Sequence, residues 1–339
     1  MARIAINGFG RIGRLFFRKA FGEKDLEIVA INDVGDLENL AYLLKYDTVY
    51  QRYERHVQCD KKKGVLIVGG KEIKVFQEKD PAKLPWKELK IDVAVESTGA
   101  FESFESAEAH LRAGAKKVVI TAPAKDDERD DAKTVLLGVN EEYFKTCMIT
   151  SNGSCTTNAA HPVAAIMGET VGVKKAVLNT VHGYTATQNL VDGPTKGHDF
   201  RRGRAAGANI VPSTTGAAIS VARALPDLQG KFDGIALRVP TITGSIADFT
   251  FLAGRATSVE EINDIFRKAA AEPRWKGILK VNEDQLVSSD IIGEPFAAIV
   301  DLGFTRVIDN DLVKILSWYD NEAGYAATLV AHVCKAAAL

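Results

Sequence analysis

A glycine-rich segment near the start of the chain constrains the fold more than any other feature. Residues 7–14 read NGFGRIGR, with a short apolar run before them and a helix-like stretch after them. A strand, a tight turn and a helix in this order are the setting in which G-x-G-x-x-G binds a dinucleotide. There, Gly8 permits the turn, Gly10 lets the backbone approach a diphosphate, and Gly13 lets the helix pack closely on the strand. The diphosphate is expected at the positive end of the helix dipole.

A carboxylate follows the second predicted strand. Asp33 lies twenty residues after Gly13 and directly after the apolar run over 28–32. A carboxylate at this position hydrogen-bonds the ribose 2′-hydroxyl of NAD and repels the 2′-phosphate of NADP. We therefore expect NAD as the cofactor. The small-residue turn over 34–36 leaves open how strictly NADP is refused.

The pattern of secondary structure changes near residue 151. Before it, short apolar runs alternate with helix-like segments, which predicts βαβ units in a mainly parallel sheet. After it, longer strand candidates follow one another, which predicts a mainly antiparallel sheet with helices on one face. The expected fold class is α/β, with an N-terminal Rossmann dinucleotide-binding domain and an α+β catalytic domain. We expect the first domain to cover 1–153, completed by a C-terminal helix over 320–339, and the second to cover 154–319.

The local patterns also set approximate bounds for the elements. The predicted helices cover 11–22, 37–44, 107–113, 156–171 and 323–338. The predicted strands cover 4–7, 28–32, 65–68, 73–76, 91–96, 118–120, 176–181, 234–239, 247–253, 296–301 and 312–318.

Composition excludes several classes of protein. The 339 residues carry a formal net charge of -1, so no global basic field attracts nucleic acid or anionic lipid. The sequence has neither a signal-peptide layout nor an apolar stretch long enough for a membrane helix, so we expect a cytoplasmic protein. The four cysteines contain no C-x-x-C pair, which argues against a disulfide framework and against a bound metal.

One cysteine stands where a nucleophile could be activated. Cys155 lies in the run SCTTN over 154–158, at or next to the N-terminus of a predicted helix. The helix start and a nearby histidine are expected to lower the pKa of its thiol. His182, at the end of an apolar strand, is the candidate base. A lone cysteine is often only a small buried hydrophobic residue, and the residues alone leave both interpretations open.

Seven motifs spread over nearly the whole chain carry a family resemblance. They are INGFGRIGR (6–14), ESTG (96–99), SCTTN (154–158), VHGYTATQNLVDGP (181–194), TTGAA (214–218), RVPT (238–241) and SWYDNEAGY (317–325). In these motifs the chain resembles the phosphorylating glyceraldehyde-3-phosphate dehydrogenases of glycolysis and gluconeogenesis. The combination of SCTTN with the later His-x-Tyr-Thr is highly specific.

The resemblance implies a mechanism and two anion sites. It implies that Cys155 adds to the aldehyde of D-glyceraldehyde 3-phosphate and that His182 acts as the base. The resulting thiohemiacetal becomes a thioester, which inorganic phosphate converts to 1,3-bisphosphoglycerate. The implied residues for substrate and phosphate are Ser154, Thr156, Thr185, Arg202, Thr215, Gly216 and Arg238. Within this set, Thr185 and Arg238 match the site of the substrate phosphate, and Thr215 and Gly216 match the site of inorganic phosphate.

The resemblance also implies the residues that hold NAD and the assembly of the enzyme. The implied cofactor residues are Gly8, Gly10, Arg11, Ile12, Gly13, Asp33, Lys79, Thr98, Gly99, Thr121, Asn321 and Tyr325. Asn321 matches the residue that bonds the nicotinamide carboxamide. The stretch over 192–212 resembles the S-loop that packs against a neighbouring subunit's cofactor, which implies a homotetramer.

Three other functions remain as alternatives. An erythrose-4-phosphate dehydrogenase shares the fold and nucleophile, but the segment over 184–188 follows the glyceraldehyde-3-phosphate pattern. A semialdehyde or acyl-phosphate reductase is a more distant alternative, against which the VHGYT and TTGAA motifs argue. A nucleotide- or RNA-binding role is disfavoured by the net charge and by the lack of an aromatic-basic stripe.

Overall fold

The computed structural model describes residues 1–195 and 198–338, and within them the chain forms two compact units. The first unit consists of 1–135, 140–153 and the residues from Leu329 onward. The second unit consists of 136–139 and 154–328. Two of the residues in the predicted S-loop, Lys196 and Gly197, lie outside the described residues.

The first unit is built on a nine-stranded sheet. Its strands are β1 (Ala2–Asn7), β2 (Leu26–Asn32), β3 (Val57–Asp60), β4 (Val65–Val68), β5 (Lys71–Phe76), β6 (Val93–Glu96), β7 (Lys117–Ile120), β8 (Ala132–Thr134) and β9 (Ile149–Ser151). They lie in the order β3-β4-β5-β2-β1-β6-β7-β9-β8. Only the β3–β4 and β4–β5 pairs are antiparallel. The chain passes from β1 to β2 on one side and later to β6 on the other, which creates a switch point at the carboxyl end of β1.

Three helices accompany this sheet, and their ends follow from local chemistry. They are α1 (Arg11–Ala20), α2 (Leu37–Lys45) and α3 (Phe104–Arg112). The α2 helix starts where the Asp36 carboxylate accepts two backbone N–H groups, and α3 starts at a capping box formed by Ser103 and Ser106. The α1 helix ends two residues before its predicted end, because Gly22 adopts a φ of +107° that no helix continues.

The second unit is built on a seven-stranded, mainly antiparallel sheet. Its strands are β10 (Val173–Gly183), β11 (Val211–Thr214), β12 (Phe232–Val239), β13 (Ser245–Ala253), β14 (Leu279–Asn282), β15 (Ala298–Ile308) and β16 (Leu312–Tyr319). They lie in the order β11-β12-β10-β13-β16-β15-β14. The β10–β12 and β14–β15 pairs are parallel, and the other four pairs are antiparallel. The parallel β10–β12 pair is the one that carries the candidate base.

The remaining helices are α4 (Cys155–Thr170), α5 (Ala217–Ala224), α6 (Val259–Ala271) and α7 (Ala323–Ala337). The α4 helix is buried almost all round as far as Met167, which explains its lack of a polar face. The sequence analysis missed α5 and α6. The α6 helix carries a readable start signal, since the Ser258 side chain accepts the Glu261 N–H.

Among the helices of the described residues, none has both the length and the apolar character needed to cross a bilayer. Within those same ranges, no group of three or more His, Cys, Asp or Glu side chains could hold a metal ion.

Candidate active site

In the second unit, Cys155 is the first residue of α4. The Ser154 side chain caps this helix by accepting the Thr157 N–H at 3.0 Å, and the Thr157 hydroxyl oxygen in turn accepts the Ser154 N–H. Gly153, directly before the cap, has a φ of +63°, a conformation that suits glycine. The helix start therefore presents a half-buried thiol whose sulfur is bonded by the backbone N–H groups of Cys155 and Thr156.

The base and an arginine meet because their strands are neighbours. His182 on β10 and Arg238 on β12 are directly opposite in the parallel register. His182 Nε2 lies 3.4 Å from Cys155 Sγ, and Arg238 Nη1 lies 2.6 Å from His182 Nδ1. The structure thus brings the predicted nucleophile, the predicted base and the predicted phosphate-binding arginine into one line of contacts.

Burial and the charge of Arg238 decide whether the thiol proton stays on Cys155 or moves to His182. Burial raises the pKa of the Cys155 thiol, and the nearby Arg238 guanidinium opposes that rise. Burial and the same guanidinium lower the pKa of His182 to about 3. The helix N–H groups do lower the thiol pKa, as predicted, but loss of solvent outweighs them and Arg238, so the predicted net lowering is wrong. Above pH 3 the imidazole is neutral, so it can accept the thiol proton.

His182 Nδ1 has two competing neighbours. It lies 2.6 Å from the Gly183 carbonyl oxygen and 2.6 Å from Arg238 Nη1. With its proton on Nδ1, the ring donates to Gly183 and turns a lone pair on Nε2 toward Cys155. With its proton on Nε2, the ring accepts from Arg238 and donates toward the sulfur or a nearby oxyanion. The two tautomers correspond to a base and to a hydrogen-bond donor.

A buried tyrosine holds the two elements that carry the pair. The Tyr319 hydroxyl lies 2.8 Å from the hydroxyl of Thr156 on α4 and 2.8 Å from that of Thr180 on β10. Its ring packs edge-on against the His182 ring at 5.9 Å. Burial raises the pKa of Tyr319, so the hydroxyl keeps its proton. Neither Tyr319 nor Thr180 was predicted from the sequence, although Tyr319 lies within the SWYDNEAGY motif.

Several of the predicted anion-binding groups gather at the end of β10. Thr185 Oγ1 lies 3.0 Å from Thr187 Oγ1, which accepts a bond from Arg202 Nη1 at 3.1 Å. Arg202 is close enough to Arg238 to lower its pKa by repulsion, after the larger effect of burial. Two guanidinium groups among threonine hydroxyls form a fitting place for a phosphate. The sequence analysis missed Thr187.

The other predicted anion-binding residues are placed differently. The hydroxyls of Ser154 and Thr156 are engaged in the helix cap and with Tyr319, and their backbone N–H groups bond Thr157 Oγ1 and the Cys155 sulfur. Thr215 and Gly216 stand at the start of α5, where Thr215 Oγ1 accepts the Ala217 N–H at 3.2 Å.

Asn321 and Tyr325 belong to the segment that starts α7. The Asn321 side-chain oxygen accepts bonds from Ser245 Oγ at 2.8 Å and from Thr243 Oγ1 at 3.1 Å. Tyr325 is buried, with 3% of its surface exposed, and lies in the first turn of α7. The sequence analysis missed both hydroxyls that hold Asn321.

In the first unit, the glycine-rich turn is packed as its motif predicts. Gly8 has a φ of +91°, and a Cβ there would come within 2.5 Å of the Thr98 nitrogen. A Cβ on Gly13 would come within 2.1 Å of the Gly8 oxygen, so α1 can approach the turn only with glycine here. A Cβ on Gly10 would meet nothing within 4 Å, so the backbone at the N-cap of α1 is open to a ligand.

The Asp33 carboxylate is fixed at the same turn. It accepts the Phe9 N–H at 2.6 Å with one oxygen and the Gly35 N–H at 2.8 Å with the other. Each oxygen keeps a lone pair for a ribose hydroxyl. Asp33 and the exposed Lys79 line a cavity of about 370 Å³ with residues of the glycine-rich turn. The chemistry of this cavity fits the adenosine half of NAD.

Arg11 and Ile12 form the first turn of α1. The Arg11 guanidinium is paired with the Asp47 carboxylate at 2.5 Å and lies over the Tyr50 ring at 5.7 Å. The structure therefore directs the Arg11 side chain to Asp47, while the backbone of both residues stays at the helix N-terminus. Ile12 is half-buried.

Thr98, Gly99 and Thr121 follow the carboxyl ends of β6 and β7. Thr98 donates through its N–H and its hydroxyl to the Glu96 carboxylate at 2.8 and 2.5 Å. Gly99 has a φ of +71°, and the half-buried Thr121 donates its N–H to the Glu96 carbonyl. Thr98 and Thr121 are thus held by the side chain and the backbone of Glu96.

Glu96 itself belongs to a buried network that the sequence analysis missed. Its carboxylate accepts Asn7 Nδ2 at 2.5 Å and lies 2.9 Å from His110 Nε2. The Trp86 indole donates to His110 Nδ1 at 3.0 Å, and Asn32 Nδ2 donates to Asn7 Oδ1 at 2.7 Å. This network lies beneath the glycine-rich turn and holds the strand ends that line the cavity.

Two family sequence models match the chain. The one described as "Glyceraldehyde 3-phosphate dehydrogenase, NAD binding domain" matches residues 2–104, and the one described as "Glyceraldehyde 3-phosphate dehydrogenase, C-terminal domain" matches residues 154–321. The chain belongs to the glyceraldehyde-3-phosphate dehydrogenase family.

Curated relatives match over nearly their full length. The glyceraldehyde-3-phosphate dehydrogenase of Clostridium pasteurianum is 46% identical over 334 residues, which cover 97% of each chain. Glyceraldehyde-3-phosphate dehydrogenase 2 of Saccharomyces cerevisiae is 47% identical over 341 residues, which cover 99% of this chain and 100% of the relative. The glyceraldehyde-3-phosphate dehydrogenase of Mycobacterium avium is 48% identical over 335 residues, which cover 97% of this chain and 96% of the relative.

Membership of this family confirms three predictions. The resemblance stated from the motifs is confirmed, as is the α/β fold class with a Rossmann-type unit and a mainly antiparallel second sheet. NAD is confirmed as the cofactor by the NAD-binding domain that matches the first hundred residues. The individual site residues remain predictions.

Proposed function

We propose that this chain is the NAD-dependent, phosphorylating glyceraldehyde-3-phosphate dehydrogenase. It oxidises D-glyceraldehyde 3-phosphate in the presence of inorganic phosphate to 1,3-bisphosphoglycerate, with reduction of NAD. The observation that carries the proposal is the 3.4 Å contact between Cys155 Sγ at a helix start and the neutral His182, with Arg238 alongside. The family to which the chain belongs has this activity in the names of its curated members.

The first step joins the aldehyde to the enzyme. The Cys155 sulfur attacks the carbonyl carbon while His182 Nε2 takes the thiol proton, so a thiohemiacetal forms. Burial disfavours ionisation of either group alone, but transfer of the proton within the pair creates no net charge. Arg238 favours the thiolate form through its charge. His182 then delivers this proton from Nε2 to the new oxygen, which completes the thiohemiacetal hydroxyl and leaves the imidazole neutral.

The second and third steps oxidise and release the acyl group. Bound NAD supplies the acceptor for the hydride that leaves the thiohemiacetal carbon. The hydroxyl proton passes to His182 as the carbonyl of the thioester forms. Inorganic phosphate then attacks this carbonyl, the bond from carbon to Cys155 Sγ breaks, and the acyl phosphate leaves.

Two anion sites serve these steps. We assign the substrate phosphate to Arg238, Thr185 and Arg202, because the last two are linked through Thr187 and both arginines are close enough to repel each other. Filling the gap between two like charges with a phosphate relieves that repulsion. We assign inorganic phosphate to Thr215 and Gly216 at the start of α5, where helix N–H groups favour an anion.

Three broader assignments belong to the same proposal. We assign residues 1–153 with the C-terminal segment 320–339 to the NAD-binding domain and 154–319 to the catalytic domain. We infer a homotetramer, supported by the resemblance of 192–212 to the S-loop and by exposed apolar side chains in and near it, such as Leu190, Val191 and Ile210. We also infer a cytoplasmic enzyme.

A turnover assay with and without inorganic phosphate tests the function. With phosphate, NADH should form continuously from glyceraldehyde 3-phosphate. Without it, about one NADH per active subunit should form as the thioester accumulates, and turnover should then become slow. Equal steady rates under both conditions would show that phosphate is not the acyl acceptor. A higher kcat/KM for erythrose 4-phosphate would move the assignment to the related dehydrogenase.

A further inference from the structure

A buried serine links the strand end that carries the base to Asn321. Ser245, the first residue of β13, has 1% of its surface exposed. Its hydroxyl oxygen accepts the Gly183 N–H at 3.1 Å and lies 2.8 Å from Asn321 Oδ1. Since an amide N–H can only donate, the serine proton is free to point toward the asparagine. The bonds therefore run from Gly183 to Ser245 to Asn321.

A second hydroxyl supports the same orientation. Thr243 Oγ1 lies 2.9 Å from Asp320 Oδ1 and 3.1 Å from Asn321 Oδ1. Asp320 is itself fixed, because its carboxylate accepts the Gly293, Glu322 and Ala323 N–H groups. The single Thr243 proton can go to Asp320 or to Asn321, so the Ser245 proton, whose oxygen already accepts the Gly183 N–H, is the donor that favours an Asn321 oxygen facing these hydroxyls.

The other end of the Asn321 amide is available. Over residues 1–195 and 198–338, no hydrogen bond is made by Asn321 Nδ2. A rotated amide would place its nitrogen against the Ser245 and Thr243 hydroxyls and expose the oxygen instead. Ser245 therefore decides whether this position offers a ligand a donor or an acceptor.

We propose that Ser245 is a positioning residue that fixes Asn321 so that Nδ2 donates to the carboxamide oxygen of the nicotinamide. The inference rests on the proposed function, in which Asn321 meets the nicotinamide ring. Through Gly183, the same hydroxyl ties this amide to the segment that holds His182, whose Nδ1 lies 2.6 Å from the Gly183 oxygen. One serine thus sets both the face of the ring that accepts hydride and the backbone beside the base.

The test compares NAD with ADP-ribose, which lacks the nicotinamide. Ser245→Ala should weaken NAD binding about three- to tenfold, the value of one hydrogen bond, and should leave ADP-ribose binding unchanged. Ser317→Ala is the matched control, because Ser317 is a buried serine of the same sheet whose hydroxyl lies near the Ala159 carbonyl. It should change neither affinity. Binding is measured by calorimetry on the full-length enzyme.

A double-mutant cycle identifies the route of the effect. Asn321→Ala should weaken NAD by a similar factor, and adding Ser245→Ala should then change little. In Ser245→Ala, transfer of deuterium from the aldehyde carbon should also become less selective for one face of the NADH ring, as read by NMR. Ser245→Cys, which keeps the shape with a weaker donor, should lie between wild type and alanine and covers the case in which the alanine variant does not fold.

The failures of the two proposals can be told apart. If the wild-type enzyme bound neither NAD nor ADP-ribose, the proposed function would fail. If it bound both, but Ser245→Ala weakened the two ligands equally or weakened NAD further in the Asn321→Ala background, the positioning role of Ser245 would be wrong.

Discussion

Each unit buries a histidine among its candidate functional residues, and the two histidines meet opposite surroundings. His110 in the first unit lies 2.9 Å from the Glu96 carboxylate and accepts the Trp86 indole N–H at 3.0 Å. Over the part of the chain that the structure describes, no carboxylate bonds His182 in the second unit, and its ring instead lies 2.6 Å from the Arg238 guanidinium. One ring is tied on both nitrogens to groups that complement it, while the other is held beside a positive charge.

This difference matches what each unit has to do. A ring whose two nitrogens are both satisfied can hold neighbouring strands but has no lone pair to offer, which suits a rigid platform for a cofactor. Burial and the neighbouring cation make the His182 ring a weak base toward solvent, but the neutral ring keeps a lone pair turned to a thiol whose proton it can take. We therefore expect substitutions in the first network to change stability and binding, and substitutions in the second to change the chemistry.

The largest effect is expected from the nucleophile. Cys155→Ser should lower turnover to less than about a hundredth of the wild-type rate, because a serine hydroxyl ionises far less readily than a thiol. The NAD affinity should survive, since the first unit is unchanged. Steady-state kinetics and calorimetry measure the two quantities. Retention of more than about a hundredth of the rate would exclude covalent catalysis by Cys155, because loss of a general base alone costs about that much.

The next largest effect is expected from Glu96, the centre of the buried network in the first unit. Glu96→Ala removes the acceptor for Asn7, His110 and Thr98 and should cost several kcal/mol of stability, because each buried donor left without a partner costs about 1 to 3 kcal/mol. Thermal unfolding should show a lower Tm and weaker protection by NAD, while alkylation of Cys155 stays as in wild type. Glu105→Ala, an exposed acidic residue of α3, is the control. An unchanged Tm for Glu96→Ala would show that the buried network around Glu96 does not stabilise the first unit.

Arg238→Leu should lower kcat/KM for glyceraldehyde 3-phosphate about 10- to 100-fold, through loss of charge-assisted bonds of roughly 1.5 to 3 kcal/mol each. It should also move the pH profile. Arg238 lowers the pKa of His182 by repulsion, so its removal raises that pKa from about 3 toward the ordinary value. The imidazole then protonates at a higher pH, and activity is lost earlier as the pH falls.

Unphosphorylated glyceraldehyde is the matched substrate for Arg238→Leu. It cannot use a phosphate site and should lose much less activity than the phosphorylated aldehyde at pH 8. Equal losses for both aldehydes would mean that the arginine does not bind the substrate phosphate.

The smallest effect is expected from Asp33, the residue predicted to contact the ribose of the cofactor. Asp33→Ala removes a negative charge and a hydrogen-bond acceptor together, so NAD should weaken while NADP improves. The ratio of kcat/KM values for NADP and NAD should rise about tenfold, as expected for a change of roughly 1.4 kcal/mol. Asp36→Ala, the neighbouring cap of α2, is the control. A constant ratio for Asp33→Ala would show that Asp33 does not face the ribose.

Local signals in the sequence were enough for the fold class and for most elements. The turn at Gly8, the strand ending at Asn32 and the helix starting at Cys155 each follow from neighbours within a few residues. Element ends were less accurate, as at Gly22, where a backbone conformation ends α1. The α6 helix was missed although Ser258 and Glu261 signal its start. The parallel pairing of β10 with β12 could not be read, because it depends on strands more than fifty residues apart.

The motifs pointed to the candidate nucleophile and base but not to the groups that hold them. Cys155 and His182 carry a chemical signal in their residue type and surroundings. Tyr319, Ser245 and His110 carry none, because a tyrosine, serine or histidine with an ordinary pattern acquires a role only from a partner far along the chain. The direction in which the pKa of Cys155 shifts could not be predicted from the sequence either, because it depends on how much solvent the folded chain removes from the thiol.

The central claim is that His182 takes the proton of Cys155. The most direct test measures the rate of Cys155 labelling by iodoacetamide as a function of pH in the wild-type enzyme and in His182→Asn. Asparagine keeps the size and polarity but cannot accept the thiol proton, while burial still raises the thiol pKa. We predict slower labelling in His182→Asn and a profile shifted to higher pH. The same rate and the same profile in both proteins would contradict the account.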